Sequence, residues 1–130
     1  MRRLLTVSLL AVVLGVSYGG ALATVHTVVM NAGSFDPPAL TAALGDAVRW
    51  VNNSFIQHTS TSGTGRANGI WDSPVLDPGQ EFTFTFTGVG TYPYFCRFHY
   101  LSGMTGVITV TQPVPVEQTT WGRIKSLYGL

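Results

Sequence analysis

The chain has 130 residues, of which 45% are hydrophobic and only 10% charged, and its formal net charge is +1. The basic side chains form no run along the sequence, so we expect no nucleic acid among its partners. The length corresponds to one ordinary domain preceded by a short N-terminal segment.

The first 23 residues have the pattern of an export signal. Arg2 and Arg3 give a basic start, residues 4–16 are apolar apart from two hydroxyl side chains, and residues 21–23 read Ala-Leu-Ala, the pattern that signal peptidases cleave. The apolar run is short for a membrane span. We therefore expect residues 1–23 to be removed on export to the periplasm or the cell exterior. An uncleaved anchor that holds the protein at a membrane or cell surface is the alternative.

The chain after this segment is dominated by β-branched and aromatic runs separated by Gly, Pro, Asn and Asp. The predicted strands, in chain order, are 25–30, 39–44, 46–52, 80–87, 91–96 and 105–111. Between residues 80 and 87, three phenylalanines alternate strictly with polar residues, which predicts one buried and one solvated face. Short strands at this spacing indicate an all-β sandwich, which we assign to residues 24–112.

Two segments lack this pattern. Residues 60–74 are rich in Ser, Thr and Gly, and we expect a surface excursion anchored by Trp71, with a short strand or a turn of helix near Trp71 and Asp72 as a further possibility. Residues 113–130 form a C-terminal tail that begins with spaced prolines. The tail is either a loosely ordered terminus or a short amphipathic helix with four apolar residues on one side, Trp121, Ile124, Leu127 and Tyr128.

The chemistry of the chain is concentrated around its only cysteine, Cys96. A single cysteine in an exported protein cannot form an internal disulfide, so the thiol calls for another role. His99 follows three residues later, Met104 eight residues later, and His58 lies upstream. Two histidines, one cysteine and one methionine are the ligands of a trigonal copper site with a weak axial thioether.

Each of these residues has an ordinary structural explanation when it is taken alone. An isolated histidine such as His58 is usually packed or solvated, and buried Met104 and Cys96 are often simple core residues. Only the joint spacing of the four side chains predicts a metal site.

Four groups of residues, which together span most of 25–111, carry a family resemblance. They are Phe35-Asp36-Pro37-Pro38 with Leu40 and Gly45 to Trp50; Val51, Asn52 and Asn53 followed by His58; Trp71 to Ser73 with Asp77 to Gln80; and Cys96, His99 and Met104. These groups resemble the cupredoxins, most closely plastocyanins and pseudoazurins. The resemblance implies a Greek-key β-sandwich of seven to eight strands and one type 1 copper ion, bound by His58, Cys96, His99 and Met104.

The surroundings of the ligands depart from the family pattern. Plastocyanins often have Pro where this chain has Phe98, and often have Asn, which bridges the two ligand loops, where it has Thr59. We expect Asn53 and Thr59 to support the ligands from outside, with Thr59 offering its backbone N–H or a local hydrogen bond. Changes of this kind shift a redox potential more than they abolish metal binding.

Phe98, Tyr100 and Leu101 surround His99 in the sequence and predict an apolar collar against which a redox partner docks. The alternative is that Phe98 turns inward and packs. Because no run of acidic residues is present, we expect little electrostatic steering of the partner.

A second metal site is conceivable at the processed N-terminus. Cleavage after Ala23 leaves Thr24-Val25-His26, and a free amine with histidine at the third position can bind Cu(II) or Ni(II) in a square plane of nitrogen atoms. The alternative is that His26 is an ordinary residue of the first strand.

These observations favour a monomeric single-electron carrier. Its donor and acceptor are expected to be redox proteins, such as a c-type cytochrome or a respiratory or photosynthetic complex. A copper-delivery module without electron transfer is the alternative function, and a metal-free adhesive sandwich is a third. We do not expect an enzyme, because copper enzymes of this fold need further copper centres and His-x-His pairs, and the chain has three histidines and no such pair.

Overall fold

The computed structural model describes residues 22–114 together with residues 127 and 128. This part of the chain contains nine β-strands and one short 3-10 helix, Tyr100–Ser102. The strands are β1 Val25–Met30, β2 Phe35–Asp36, β3 Ala39–Ala43, β4 Ala47–Asn52, β5 Thr61–Gly63, β6 Ala67–Asp72, β7 Glu81–Thr85, β8 Gly90–Phe95 and β9 Thr105–Thr111.

The strands form two sheets, which confirms the predicted all-β sandwich, although the described residues contain nine strands where the resemblance implied seven to eight. One sheet has the order β2-β1-β4-β7 and the other the order β3-β9-β8-β5-β6. The β1–β4 and β3–β9 pairs are parallel, and the other pairs are antiparallel. No helix in the described part of the chain is long and apolar enough to cross a membrane.

All six strands predicted from the sequence are present, with bounds that differ by two residues at most. The alternation in β7 has the expected result, because Phe82 and Phe84 are half-buried while their polar neighbours are exposed, and Phe86 beyond the strand is fully buried. Most of the predicted C-terminal tail and residues 1–21 lie outside the described residues. Leu127 and Tyr128 are both exposed.

The predicted surface excursion at residues 60–74 is wrong for residues 61–63, which are buried, whereas a strand does include Trp71 and Asp72 and is exposed apart from Trp71. This segment contains β5 and β6, which form a hairpin at the edge of the larger sheet, and β5 is buried throughout. Its small polar side chains are buried because they hydrogen-bond to Trp71: Ser60 Oγ accepts from the indole Nε1 at 2.9 Å, and Ser62 Oγ accepts from the Trp71 backbone N–H at 2.9 Å. Satisfied hydroxyls therefore replace the apolar residues usual in a buried strand.

The core between the sheets is an aromatic cluster. Trp50 from β4 stacks on Trp71 from β6 with ring centroids 5.5 Å apart, and Tyr94 from β8 meets Trp50 edge-on at 5.4 Å. Phe35 packs on Tyr94 at 4.6 Å. Each buried aromatic side chain contributes roughly 1.5–3 kcal/mol from burial. The same cluster includes Cys96, so this predicted ligand packs within the core.

The two ends of the sandwich are formed by different segments of the chain. At one end, the chain enters β1 and leaves β9, and the Leu44 N–H donates to the Thr111 carbonyl at 2.8 Å while the Ala47 N–H donates to the Thr24 carbonyl at 3.0 Å. At the other end, β4 and β8 finish and β9 begins. All the predicted copper ligands lie at this second end, which we call the ligand end.

Candidate metal centre

Three predicted ligands converge at the ligand end. Cys96 is the first residue after β8, His99 lies in the turn that follows, and His58 comes from the segment after β4. The Cys96 Sγ is 3.8 Å from the His58 Nδ1 and 3.4 Å from the His99 Nδ1. One donor atom from each residue lies within 4.8 Å of the others, so a single ion can contact all three.

Met104 is brought to the same place by the loop that joins β8 and β9. The Met104 carbonyl accepts from the Cys96 N–H at 3.1 Å, and the Met104 N–H donates to the His99 carbonyl at 3.1 Å. Its side chain is fully buried in the cluster that contains Cys96. Gly103 allows the turn because its φ of +88° is left-handed, a conformation that other residues rarely adopt.

The environment favours the metal-binding form of His58. The side chain is fully buried, whereas His99 is half-buried. Burial lowers the pKa of His58, and the nearby His99 lowers it further. A neutral imidazole has the free lone pair that a metal ion requires.

Ser54 selects the ring nitrogen that carries this lone pair. Its Oγ lies 2.9 Å from the His58 Nε2 and 2.8 Å from the Oδ1 of Asn52. The Ile56 carbonyl lies 3.1 Å from the same Oγ, and both neighbouring oxygens can only accept. The single hydroxyl proton therefore goes to one of these two acceptors, and the His58 Nε2–H donates to the serine oxygen. The proton of His58 is therefore on Nε2, and Nδ1 faces Cys96 with its lone pair free.

Asn52 holds Ser54 and its loop in place. It is almost fully buried, and its Nδ2 donates to the Ile56 carbonyl at 2.7 Å and to the Leu76 carbonyl at 3.0 Å. The predicted supporting residue Asn53 is exposed, and its backbone N–H donates to the Met30 carbonyl at 3.1 Å. Sequence reasoning missed Asn52 and Ser54, although such side chains often bond local backbone ahead of a functional residue.

Thr59 joins the two ligand segments. Its Oγ1 accepts from the Arg97 backbone N–H at 2.9 Å, so the residue after His58 is hydrogen-bonded to the residue after Cys96. The sequence predicted a supporting role for Thr59 through its backbone N–H or a local bond. The structure places its side-chain oxygen across the loops, where the family often has Asn.

This bridge continues to the protein surface. The Thr59 Oγ1 lies 3.2 Å from the Thr61 Oγ1, which donates to the Asp72 Oδ1 at 2.8 Å. Since a carboxylate only accepts, the protons of both hydroxyls point towards Asp72. The Arg97 guanidinium closes the ring, because its Nη2 lies 3.5 Å from the same carboxylate oxygen. The chain of bonds immobilises the backbone beside Cys96.

The predicted collar is exposed. Phe98 retains 53% and Leu101 98% of their accessible surface, and the Phe98 ring lies 6.4 Å from the His99 ring. Tyr100 is 38% exposed and packs edge-on against Phe95 at 5.3 Å. The inward alternative for Phe98 is therefore not what the structure has.

One further apolar residue belongs to this end, and sequence reasoning did not single it out. Phe55 is 83% exposed and directly follows Ser54, the residue that contacts His58. Exposed phenylalanine beside a polar turn is the signal that could have identified it.

The predicted N-terminal ligands lie at the opposite end and share one partner. The Thr24 N–H donates to the Asp46 Oδ1 at 2.9 Å, and the His26 Nε2 is 2.8 Å from the Asp46 Oδ2. Both nitrogen atoms are therefore engaged by one carboxylate. The N-terminal metal site stays a prediction.

The donor set at the ligand end fits copper. A buried thiol, two imidazole nitrogens and a neighbouring buried thioether match a His₂Cys copper centre, whereas structural zinc sites use four Cys, His or carboxylate ligands. The fold and the cluster together define a small β-sandwich copper protein. Residues 23–111 match the family of copper binding proteins described as the plastocyanin/azurin family. The chain belongs to this family, and copper is its cofactor.

Individual relatives agree with this assignment. The plastocyanin of Scenedesmus fuscus is 34% identical over 83 residues, which are 58% of this chain and 85% of that protein. A purple cupredoxin from Nitrosopumilus maritimus superposes with a TM-score of 0.61 and 27% identity, over 66% of this chain and 99% of the other. A copper-containing nitrite reductase from Thermus scotoductus gives a TM-score of 0.60 and 28% identity over 68% of this chain, but only 23% of the reductase is covered.

Proposed function

We propose that the protein is a type 1 copper protein that carries single electrons between two redox proteins outside the cytoplasmic membrane. The observation that carries the proposal is that one donor atom each of His58, Cys96 and His99 lies within 4.8 Å of the others, with both histidine Nδ1 atoms facing the Cys96 Sγ. We assign these three residues and Met104 as the copper ligands. When bound, copper supplies a one-electron couple between Cu(I) and Cu(II).

The residues around the ligands keep the pocket in one geometry. Ser54 holds the ring of His58, and Thr59 ties the His58 segment to the Cys96 loop. Burial of His58, Cys96 and Met104 keeps water away from three of the four donors. A preorganised, dry pocket has little to rearrange when its charge changes, which favours fast electron exchange.

We assign the docking face to the collar of Phe98, Tyr100 and Leu101, extended by Phe55. These side chains are exposed and lie beside the ligand segments. An apolar patch around the half-buried His99 suits a small, transient contact in which a partner approaches the site closely and leaves quickly. We propose redox proteins as donor and acceptor, and a monomeric carrier.

Export is part of the proposal. We propose that residues 1–23 are removed and that the domain operates in the periplasm or outside the cell, free or at a surface. The Ala-Leu-Ala pattern at 21–23 supports cleavage, and Leu22 is 93% exposed.

A carrier is favoured over an enzyme. The described residues bring together one cluster of metal-ligating side chains, that of His58, Cys96 and His99. The nitrite reductase that resembles this fold is a much larger chain, of which this protein covers 23%. The alternative of a copper-delivery module is disfavoured by the burial of Cys96, because a delivered ion must leave easily.

The test is the visible and EPR spectrum of the exported protein with one equivalent of Cu(II). We expect an intense thiolate charge-transfer band with narrow copper hyperfine splitting, bleached by ascorbate and restored by oxidation. Cys96→Ser should abolish the band, and the matched control His26→Ala should keep it. A pale spectrum that does not depend on Cys96 would reject a type 1 centre, and a band that cannot be reduced reversibly would favour delivery.

A further inference from the structure

Thr24 is the first of the described residues that is hydrogen-bonded to the sandwich. Its carbonyl accepts from the Ala47 N–H at 3.0 Å and its own nitrogen donates to the Asp46 Oδ1 at 2.9 Å. Ala23 and Leu22 before it are exposed. Among the described residues, hydrogen bonding to the sandwich therefore begins directly after the Ala23–Thr24 bond that the sequence marks for cleavage.

Asp46 is built to receive positive charge at this boundary. The residue is only 6% exposed. Its Oδ2 accepts from the Ala43 N–H at 2.9 Å and lies 2.8 Å from the His26 Nε2, while its Oδ1 faces the Thr24 nitrogen. The Thr24 bond is the main reason that the pKa of Asp46 is lowered to about 2. None of its three nitrogen partners belongs to a lysine or an arginine. The buried carboxylate can therefore still form an ion pair with a cation.

We infer that Asp46 binds the α-ammonium group that cleavage creates on Thr24, so that removal of the leader strengthens the fold. A peptidase adds water across the Ala23–Thr24 peptide bond, which gives a carboxylate on Ala23 and an amine on Thr24 that takes up a proton at neutral pH. The inference rests on the export part of the proposed function.

The geometry needs no rearrangement for this change. In the uncleaved chain the Thr24 nitrogen is a neutral amide with one proton, already aimed at Asp46. After cleavage the same atom carries a charge and two further protons. A cavity of about 320 Å³ borders Thr24 and Asp46 in the uncleaved chain, and its lining includes Leu22 and Ala23. Cleavage removes these two residues, so the new protons gain access to water. The bond thus changes from one between a neutral amide and a carboxylate to one between two opposite charges, whose Coulomb attraction adds to the hydrogen bond.

The experiment compares two starting points of the copper-loaded protein, one at Thr24 and one at Ala23, which moves the ammonium by a single residue. Asp46→Asn is made in both, with the exposed Asp36→Asn as a control. We expect Asp46→Asn to lower the folding equilibrium constant, measured in urea, about tenfold more in the chain that starts at Thr24. Equal losses in the two chains would overturn the inference.

A second measurement needs no variant. The α-amine of the Thr24 chain should be acylated at least about tenfold more slowly in the folded protein than in urea. The reason is that the ion pair with Asp46 favours the protonated amine, which has no free lone pair to react. Equal rates after correction for the denaturant would also overturn the inference.

Mass spectrometry of the exported protein should give Thr24 as the first residue, and any other start overturns the cleavage step. The copper spectrum, recorded on every sample, reports separately on the proposed function, because Asp46 lies at the end opposite the ligands.

Discussion

The Ser54 Oγ lies 2.9 Å from the His58 Nε2, and this contact directs the opposite ring nitrogen towards Cys96. Because Ser54 donates its own proton to Asn52 or to the Ile56 carbonyl, which can only accept, its oxygen receives the proton of His58. A side chain outside the ligand set thus determines which tautomer the ligand adopts.

Removing this hydroxyl should weaken copper binding. We expect Ser54→Ala to lower Cu(I) affinity about 10- to 100-fold, the range seen when partners of metal-binding histidines are lost. Competition titration with a chelator measures the effect. Ser34→Ala, an exposed serine outside the ligand segments, is the control and should leave affinity unchanged. An unchanged affinity in Ser54→Ala would show that the contact does not position the ligand.

The Thr59 bridge should contribute to stability before copper binds. Thr59→Val keeps the shape of the side chain but leaves the Arg97 N–H without its acceptor. We expect the free energy of unfolding of the copper-free protein to fall by about 1–2 kcal/mol. Thr59→Ser, which retains the hydroxyl, should lose less. Urea unfolding of both variants provides the comparison, and equal losses would contradict the role of the oxygen.

A substitution in the apolar collar should lower the rate of reaction with a redox partner and should not change the copper site. Leu101 is 98% exposed, so Leu101→Ala should change stability by less than about 0.5 kcal/mol. We expect its second-order rate constant with a redox partner to fall about fivefold, an effect of the size that a docking residue has. Stopped-flow kinetics measure the rate, and voltammetry should show an unchanged potential.

The control for this experiment is Val89→Ala. Val89 is 51% exposed and precedes β8, at the end of the sandwich opposite the collar. It should react at the parent rate. A slowed Val89→Ala, or an unaffected Leu101→Ala, would place docking elsewhere.

Acid should weaken the fold through Asp46. The pKa of this carboxyl is lowered from 3.8 to about 2, first by the hydrogen bond from the Thr24 N–H. A depressed pKa stabilises the folded state above the unfolded value, and that stability is lost as the pH falls from about 4 through about 2. We expect a loss on the order of 1–2 kcal/mol in urea unfolding. Asp46→Asn should lack this pH-dependent component, whereas Asp36→Asn should keep it.

Nickel distinguishes the two roles available to the N-terminus. Because Asp46 engages the Thr24 and His26 nitrogens, we expect the folded, processed protein to bind no Ni(II) through them at neutral pH. Visible spectroscopy during nickel titration tests this. A square-planar nickel band that disappears in His26→Ala would establish the N-terminal metal site and contradict the ion pair.

The strands and the cluster of ligands were predictable because the signals are local. Strict alternation of phenylalanine marks β7, and three of the four proposed ligands lie within the nine residues from Cys96 to Met104, where one tight turn brings them together. Ligands that are this close in the sequence can be predicted without knowing which strands pair.

The β5–β6 hairpin was missed for a physical reason. Its buried strand is Thr-Ser-Gly, a sequence with the composition of a loop. What permits burial is the hydrogen bonding of Ser60 and Ser62 to Trp71, which comes from the neighbouring strand. The strand propensities of residues 61–63 carry no information about a hydrogen-bonding partner on another strand.

The sequence by itself determined the sandwich class and the set of His58, Cys96, His99 and Met104, because both depend on periodicity or on spacing along the chain. Only the tertiary structure decided that Ser54, held by Asn52, contacts His58, and that Asp46 engages the Thr24 and His26 nitrogens. Those partners meet through hydrogen bonds between segments whose approach is set by sheet pairing and by packing on the aromatic core. A hydrogen bond requires atoms about 3 Å apart, and that distance is a property of the folded chain.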